Sequence, residues 1–473
     1  MNKTGIIYGV NGPVIYLKGD PGFKISEMVY VGPEKLVGEV IGLKKGMTTV
    51  QVFEETTGLK PGDTVMGTGD AISVLLGPGI IHNIFDGIQR PLEEIAKSSG
   101  KYISRGVSVD SLDTAKKWDV HVTVKVGDMV SAGTIIAETQ ETASILHKSM
   151  VPPTIGEAEV IKAVPDGAYT ILDPIVTVRL SDGSERDIAL AQKWPIRVPR
   201  PTYKRFPASV PLVTGQRILD TLFPIAKGGT AAIPGGFGTG KTMTQHQIAK
   251  WSDADIIIYI GCGERGNEMT QVLEEFSELI DPKSGNPLMD RTVLIANTSN
   301  MPVAAREASI YTGLTLAEYY RDMGYHVAIM ADSTSRWAEA LRELSGRLEE
   351  MPAEEGFPAY LASKLSAFYE RAGMMHNLNG SVGSVTIIGA VSPQGSDFSE
   401  PVTQNTKRFV RCFWGLDKSL AYARHFPAIH WLTSYSEYVQ DLAPWYNAKA
   451  GKDFVANRNR LMAILNQESA LME

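Results

Sequence analysis

The spacing of hydrophobic residues along the chain changes near residue 200. Before that point, short alternating runs are separated by glycines, for example at residues 14–17 and 48–53. Alternation with a period of two predicts short β-strands, and short strands separated by glycine turns are typical of a small antiparallel barrel. Residues 110–190 repeat the pattern and predict a second β-rich unit.

After residue 200, short apolar runs alternate with longer segments that have helical apolar spacing. Strands that are apolar along their whole length are buried on both faces, as in the parallel sheet of a βαβ core. The segments 303–323 and 336–351 are predicted helices. The predicted strands are 230–233, 255–260, 292–296, 326–331 and 384–389.

These patterns predict a multidomain α/β protein with a mostly parallel sheet in its main domain. We expect an N-terminal β-barrel at 1–72, a connector at 73–109, a β-rich insert at 110–190, a nucleotide-binding domain at 191–433 and a helical segment at 434–473. The proline-rich run that begins at Trp194 is expected to be a stiff connector.

Composition narrows the class of protein. A hydrophobic content of 43% is ordinary for a globular chain, and a net charge of -7 gives no reason to expect nucleic acid as a ligand. No apolar stretch is long enough to span a membrane or to form a signal segment. The two cysteines, Cys262 and Cys412, have no metal-like spacing, which predicts buried thiols in a reducing compartment.

The strongest chemical motif is Gly-Gly-Phe-Gly-Thr-Gly-Lys-Thr at residues 235–242, between a predicted strand and a predicted helix. Glycines let backbone N–H groups close around a polyphosphate, and the following helix N-terminus favours anions. Lys241 is expected to reach the β- and γ-phosphates, and the Thr242 hydroxyl to bind Mg²⁺. The alternative is a glycine-rich turn without a ligand.

Two acidic residues follow other predicted strands. Asp332 ends the run 326–331, where a P-loop protein places the carboxylate that holds its metal through water; the alternative is a helix N-cap. Glu264 follows the strand 255–260, and we expect it to orient or deprotonate the attacking water, with Arg265 on phosphate or on Glu264. The alternative is an exposed Glu-Arg pair. Glu268 is expected to be a first-turn helix acid.

Read together, these motifs resemble the catalytic A subunits (alpha chains) of V-type and A-type rotary ATPases and ATP synthases of the prokaryotic kind. The resemblance covers nearly the whole chain. It includes Phe-Asp-Gly-Ile-Gln-Arg-Pro-Leu at 85–92, Thr-Gly-Gln-Arg-Ile-Leu-Asp at 214–220, the P-loop, and the runs at 260–269, 297–309 and 331–343.

The resemblance implies a fold and a set of roles. The fold is an N-terminal barrel, a β-rich bulge, a RecA-like nucleotide-binding domain and the start of a helical C-terminal domain. Lys241, Glu264, Arg265 and Asp332 match the catalytic positions, and Phe426 matches the aromatic residue against the adenine. The nucleotide-binding set is Gly235, Gly236, Phe237, Gly238, Thr239, Gly240, Lys241, Thr242, Met243 and Phe426.

The resemblance also implies partners and a place in the cell. The expected assembly is a ring of alternating A and B subunits in which the B subunit supplies an arginine finger, with central and peripheral stalks and a separate membrane sector that moves protons or sodium ions. The cofactor is Mg²⁺ with ATP or ADP. The expected location is the cytoplasmic face of a membrane, as a peripheral part of the complex.

Three alternatives remain open from the sequence. A flagellar or type III export ATPase shares the barrel and the core but lacks the insert at 110–190. A non-catalytic nucleotide-binding paralogue usually loses the P-loop lysine or the catalytic carboxylate, and both are present here. An RNA translocase needs a basic or aromatic RNA-binding face. Relatives continue with further helices, so a truncated protein, a split gene or a degenerate paralogue would each explain the short helical segment.

Overall fold

The computed structural model describes residues 3–100, 103–449 and 451–472. The predicted domains also include residues 1–2, 101–102, 450 and 473, which lie outside the described residues. In the described part of the chain, no helix combines the length and the apolar character that crossing a membrane requires.

Six antiparallel strands close into a barrel in the order β1-β2-β5-β4-β3-β6. Their alternating apolar residues point inward, so Leu17, Val29 and Val50 are fully buried in its interior. The strands are β1 (Thr4–Asn11), β2 (Val14–Lys18), β3 (Glu27–Val31), β4 (Leu36–Lys44), β5 (Met47–Val52) and β6 (Thr64–Ala71).

The segment predicted as a connector takes part in two sheets. It forms β7 (Ser73–Leu76), β8 (Ile84–Phe85) and helix α1 (Leu92–Ser99). β8 adds a parallel strand to the edge of the main sheet, and β7 pairs with a strand that follows the insert. Such short strands leave too weak a periodic signal for sequence analysis, because their partners lie more than a hundred residues away.

The insert consists of two four-stranded antiparallel sheets, in the orders β10-β13-β15-β16 and β12-β11-β9-β14. Its apolar residues share one continuous core with the main domain. The strands are β9 (Trp118–Val122), β10 (Met129–Val130), β11 (Ile135–Gln140), β12 (Leu146–Met150), β13 (Ala158–Ala163), β14 (Gly167–Tyr169), β15 (Pro174–Leu180) and β16 (Glu185–Ala189).

The main domain is built on a ten-stranded sheet whose central strands are parallel, in the order β27-β21-β26-β24-β22-β23-β8. Three strands of the domain, β17, β19 and β20, pair outside this large sheet. The strands of the domain are β17 (Gln192–Pro195), β18 (Lys204–Phe206), β19 (Pro211–Leu212), β20 (Ile225–Ala226), β21 (Thr230–Pro234), β22 (Ile256–Glu264), β23 (Thr292–Thr298), β24 (His326–Asp332), β25 (Gly373–His376), β26 (Val382–Val391), β27 (Cys412–Phe413) and β28 (Tyr435–Ser436).

Helices lie against this sheet and continue into the C-terminal segment. The longest of those against the sheet, α5, is buried over nearly its whole length. The helices are α2 (Arg217–Leu222), α3 (Lys241–Trp251), α4 (Gly266–Glu278), α5 (Val303–Asp322), α6 (Thr334–Arg347), α7 (Leu361–Glu370), α8 (Pro401–Phe409), α9 (Lys418–Tyr422), α10 (Val439–Lys449) and α11 (Phe454–Met472).

The proline-rich run after the insert differs from the predicted stiff connector. Its first residues form β17, which pairs with β7. Arg197 then bridges Glu39 of the barrel and Glu307 of α5, at 2.6 and 2.7 Å, and Arg200 contacts Asp322 at 2.8 Å. The run therefore anchors the barrel to the main domain, because its arginines find buried carboxylates on both sides.

Candidate active site

The P-loop connects the end of β21 to the start of α3. Gly238 and Gly240 have φ values of 77° and 91°, which favour glycine. A Cβ atom on Gly236 would overlap the Ser396 hydroxyl, so a larger residue there would displace the Ser396 side chain. The Thr239 hydroxyl donates to the Gly236 carbonyl at 2.8 Å and closes the loop.

Lys241 begins α3 and folds back over the P-loop. Its Nζ donates to the carbonyl oxygens of Gly235 at 2.8 Å and Gly236 at 3.0 Å. Burial lowers the pKa of the Lys241 ammonium, and the nearby carboxylates of Asp332 and Glu264 oppose that shift. These neutral carbonyl partners leave the charge of Lys241 available for an anion in the loop.

Thr242 and Asp332 meet beside the P-loop. The Thr242 hydroxyl donates to Asp332 Oδ2 at 2.8 Å, and the Tyr259 hydroxyl donates to the same oxygen at 3.0 Å. Helix α6 is capped by Ser333, whose hydroxyl accepts from the Arg336 amide, so Asp332 is not the N-cap. A hydroxyl beside a carboxylate at the end of another strand of the same sheet is the donor set with which P-loop proteins hold Mg²⁺.

Glu264 ends β22 and is half-buried beside Asp332 and Glu268. Burial raises the pKa of Glu264 to about 9, and the repulsion from Asp332 and its contact with Glu268 add to the shift. Glu268 lies in the first turn of α4, as predicted, and it also lines the site. The arrangement concentrates acidic groups in one place, which favours binding of a cation there.

The remaining predicted residues surround the loop. Arg265 precedes α4, and its guanidinium lies 5.6 Å from the centre of the Phe237 ring, which is 80% exposed. Met243 is also exposed and lines the same cavity. Phe426 is exposed, and its ring would be 3.9 Å from a Cβ atom on Gly240, so it lies beside the P-loop.

The structure adds residues that the sequence analysis did not assign to the site. A cavity of about 420 Å³ extends from the P-loop to Arg336 on α6, Lys418 on α9 and the loop 392–396. The buried Ser396 hydroxyl atom has no hydrogen-bond partner among the described residues. Arg336 lies in the run 331–343 that carries the family resemblance, so the sequence could have predicted its place at the site. Lys418 and Ser396 lie in no such motif.

Three protein-family models match successive parts of the chain. The ATP synthase alpha/beta family beta-barrel domain matches residues 7–69, the ATP synthase alpha/beta subunit barrel-sandwich domain matches 109–197, and the ATP synthase alpha/beta family nucleotide-binding domain matches 215–436. The predicted barrel, β-rich insert and nucleotide-binding fold are thereby confirmed as a fold class.

Curated relatives match the chain from end to end. The V-type ATP synthase alpha chain of Halothermothrix orenii is 61% identical over 100% of this chain and 80% of its own length. The V-type ATP synthase alpha chain 2 of Clostridium tetani is 62% identical over 99% and 79%. The A subunit of the A-type ATP synthase of Methanopyrus kandleri is 58% identical over 99% and 79%. The chain therefore belongs to the ATP synthase alpha/beta family, within the group of V-type alpha chains and A-type A subunits.

Proposed function

By its family, this chain is the catalytic A subunit (alpha chain) of an ATP synthase, and we propose that it makes or hydrolyses Mg-ATP in the cavity beside its P-loop. The observation that carries the proposal is the Thr242–Asp332 hydrogen bond, in a cavity that Lys241 and Glu264 also line. Nucleotide binding itself follows from the family.

The proposed roles follow from the charges and donors of the site. Amides of residues 236–242 bind the phosphates, and Lys241 places its charge on the β- and γ-phosphates. Thr242 would bind Mg²⁺ directly and Asp332 through water. The metal, when bound, neutralises phosphate charge and offsets the repulsion that raises the pKa of Glu264.

Glu264 is the group we assign to the attacking water. It must be deprotonated to accept a proton, and positive charge near it favours that form. Arg265 and Arg336 line the same cavity and supply such charge from this chain. Phe426 is assigned to the adenine side of the P-loop, where an exposed aromatic ring offers a flat apolar surface.

A complete site requires a neighbour. Membership of an ATP synthase implies a complex with other subunits, and we propose that a B subunit in an alternating ring supplies an arginine finger. Such a residue is worth about 10³–10⁵ in rate. Stalk subunits and a membrane sector that moves protons or sodium ions, with the chain on the cytoplasmic face, complete the proposal.

The proposed domain division follows the predicted one. It consists of a barrel at 1–72, a connector at 73–109, an insert at 110–190, a nucleotide-binding domain at 191–433 and the start of a helical domain at 434–473. The barrel strands β1 to β6 and the two sheets of the insert support it, although β8 of the connector joins the main sheet.

The test is steady-state ATP hydrolysis by the purified chain alone and with a cognate B subunit, together with the mass of the assembly. We expect weak hydrolysis alone, and strong stimulation in a hexamer that requires Mg²⁺. Assembly without hydrolysis would favour a non-catalytic paralogue. Self-assembly into an active ring without a B subunit would refute the proposed need for a B subunit.

A further inference from the structure

Tyr259 lies in β22, five positions before Glu264, and the sequence predicts nothing for it except burial in a strand. Its side chain is 1% exposed. The hydroxyl nevertheless ends at the active site, where it donates to Asp332 Oδ2 at 3.0 Å. A strand residue with its ring in the core thus reaches the carboxylate assigned to the metal.

Aromatic packing holds the ring of Tyr259 in place. Its centroid is 5.7 Å from that of His246 on α3 and 5.6 Å from that of Phe276 on α4. His246 is itself held by a 2.8 Å contact between its Nδ1 and Glu275. Two helices and one strand therefore fix the position from which the hydroxyl acts.

Both donors to Asp332 act on the same oxygen. Thr242 and Tyr259 contact Oδ2, and among the described residues no hydrogen-bond donor contacts Oδ1. A tyrosine hydroxyl is protonated near neutral pH, so it acts as a donor to the carboxylate. Two donors on one oxygen orient the carboxylate and leave the other oxygen for a water ligand.

We infer that Tyr259 is a positioning residue, which orients Asp332 for the metal of the nucleotide complex. The inference rests on the proposed function of the site. Partners that orient metal ligands typically contribute 10–100-fold to metal affinity. The replacement Tyr259→Phe removes only the hydroxyl, so it should act on metal dependence and leave metal-free nucleotide binding unchanged.

The experiment measures ADP binding to the full chain across a Mg²⁺ series and in excess chelator. For Tyr259→Phe we expect the Mg²⁺ concentration for half-maximal enhancement to rise about 10–100-fold, with unchanged affinity in chelator. Tyr319→Phe is the matched control, because its buried hydroxyl contacts His147 Nε2 at 2.9 Å, outside the site. The control should keep the Mg²⁺ dependence of the parent.

Two outcomes would overturn the inference: a parental Mg²⁺ dependence in Tyr259→Phe, or an equal shift in Tyr319→Phe. If Tyr259→Phe does not fold, Tyr259→Met serves as the second variant, since Met fills irregular space without a donor. Lys241→Ala distinguishes a failure of the proposed function from a failure of the role of Tyr259. Normal nucleotide binding by Lys241→Ala would refute the proposed function, whereas weak binding with a parental Tyr259→Phe refutes only the role of Tyr259.

Discussion

Two carboxylates, the half-buried Glu264 at the active site and the buried Glu307 on α5, differ in what surrounds them. Burial and acidic neighbours raise the pKa of Glu264 to about 9. Burial would also raise the pKa of Glu307, but the charge of Arg197 and its hydrogen bonds lower it below the usual value. A glutamate therefore has acidic neighbours at the proposed ligand site, whereas a glutamate at the joint between barrel and main domain is paired with an arginine.

The surroundings of α5 extend this contrast. Glu318 contacts Arg371 and Arg321, and Asp322 contacts Arg200 and Arg321. In the described part of the chain, neither Lys241 nor Glu264 nor Asp332 forms an ion pair. The carboxylates of α5 are thus paired with arginines, whereas the P-loop keeps its charges for phosphate and metal.

The largest expected effect comes from replacing the carboxyl group of Glu264, which is assigned to accept a proton from the attacking water. Glu264→Gln should lower ATP turnover in the assembled ring by about 10²–10⁴-fold, the usual worth of a general base, while nucleotide binding persists. Steady-state hydrolysis and nucleotide titration measure the two effects. Glu274→Gln, which changes an exposed residue of α4, is the control. Retained turnover in Glu264→Gln would mean that another group positions the water.

Removing the paired carboxylate should affect stability instead. Glu307→Ala leaves Arg197 with Glu39 alone and is expected to cost about 3–5 kcal/mol of unfolding free energy, because the guanidinium loses two charge-assisted hydrogen bonds of about 1.5–3 kcal/mol each. Denaturant unfolding measures the change. Glu343→Ala on α6 removes an exposed acid whose contact with Arg347 is 3.5 Å and should cost less than about 0.5 kcal/mol. An equal loss of unfolding free energy in the two variants would mean that the ion pair of Glu307 contributes no more than an exposed one.

The P-loop lysine tests the other side of the site. Lys241→Ala should weaken Mg-ADP binding by roughly 100-fold, since each charge-assisted hydrogen bond to phosphate contributes about 1.5–3 kcal/mol. Titration of the purified chain gives the affinity. Lys250→Ala, at the end of the same helix, should bind like the parent. Unchanged affinity in Lys241→Ala would remove the P-loop assignment.

The smallest expected effect concerns Glu141, which joins the insert to α5. It accepts hydrogen bonds from the Gly79 and Ile81 amides and from Tyr320, all of them neutral donors. Burial raises its pKa from 4.5 to about 7, so the folded protein holds this proton more tightly than the unfolded chain. Through this group, the free energy of unfolding falls as pH rises from about 4.5 to about 7.

Glu141→Gln removes that titration. Between pH 4.5 and pH 7, its free energy of unfolding should shift by about 2–3 kcal/mol in its favour relative to the parent, since a pKa difference is worth about 1.36 kcal/mol per pKa unit and most of it falls within this pH range. Denaturant unfolding at a series of pH values measures the difference. Glu138→Gln, the same replacement on the strand β11 that precedes Glu141, is the control. If the difference in unfolding free energy between Glu141→Gln and the parent did not change with pH, the raised pKa of Glu141 would be wrong.

Sequence alone determined the parts of this protein whose signal is local. These are the glycine spacing of the P-loop, the fully apolar strands and the acidic residues at the ends of β22 and β24. Each occupies a few consecutive positions, so its signal is contained in adjacent residues. The family resemblance extended this to the assembly, and the relatives confirm the family.

Only the tertiary structure decided which distant residues meet. Tyr259 reaches Asp332 across 73 positions, and Thr242 reaches it across 90. Arg197 pairs with Glu39 across 158 positions, which turned an expected connector into an anchor. A buried charge or hydroxyl takes its role from the partner that satisfies it, and that partner is set by packing between elements rather than by spacing along the chain.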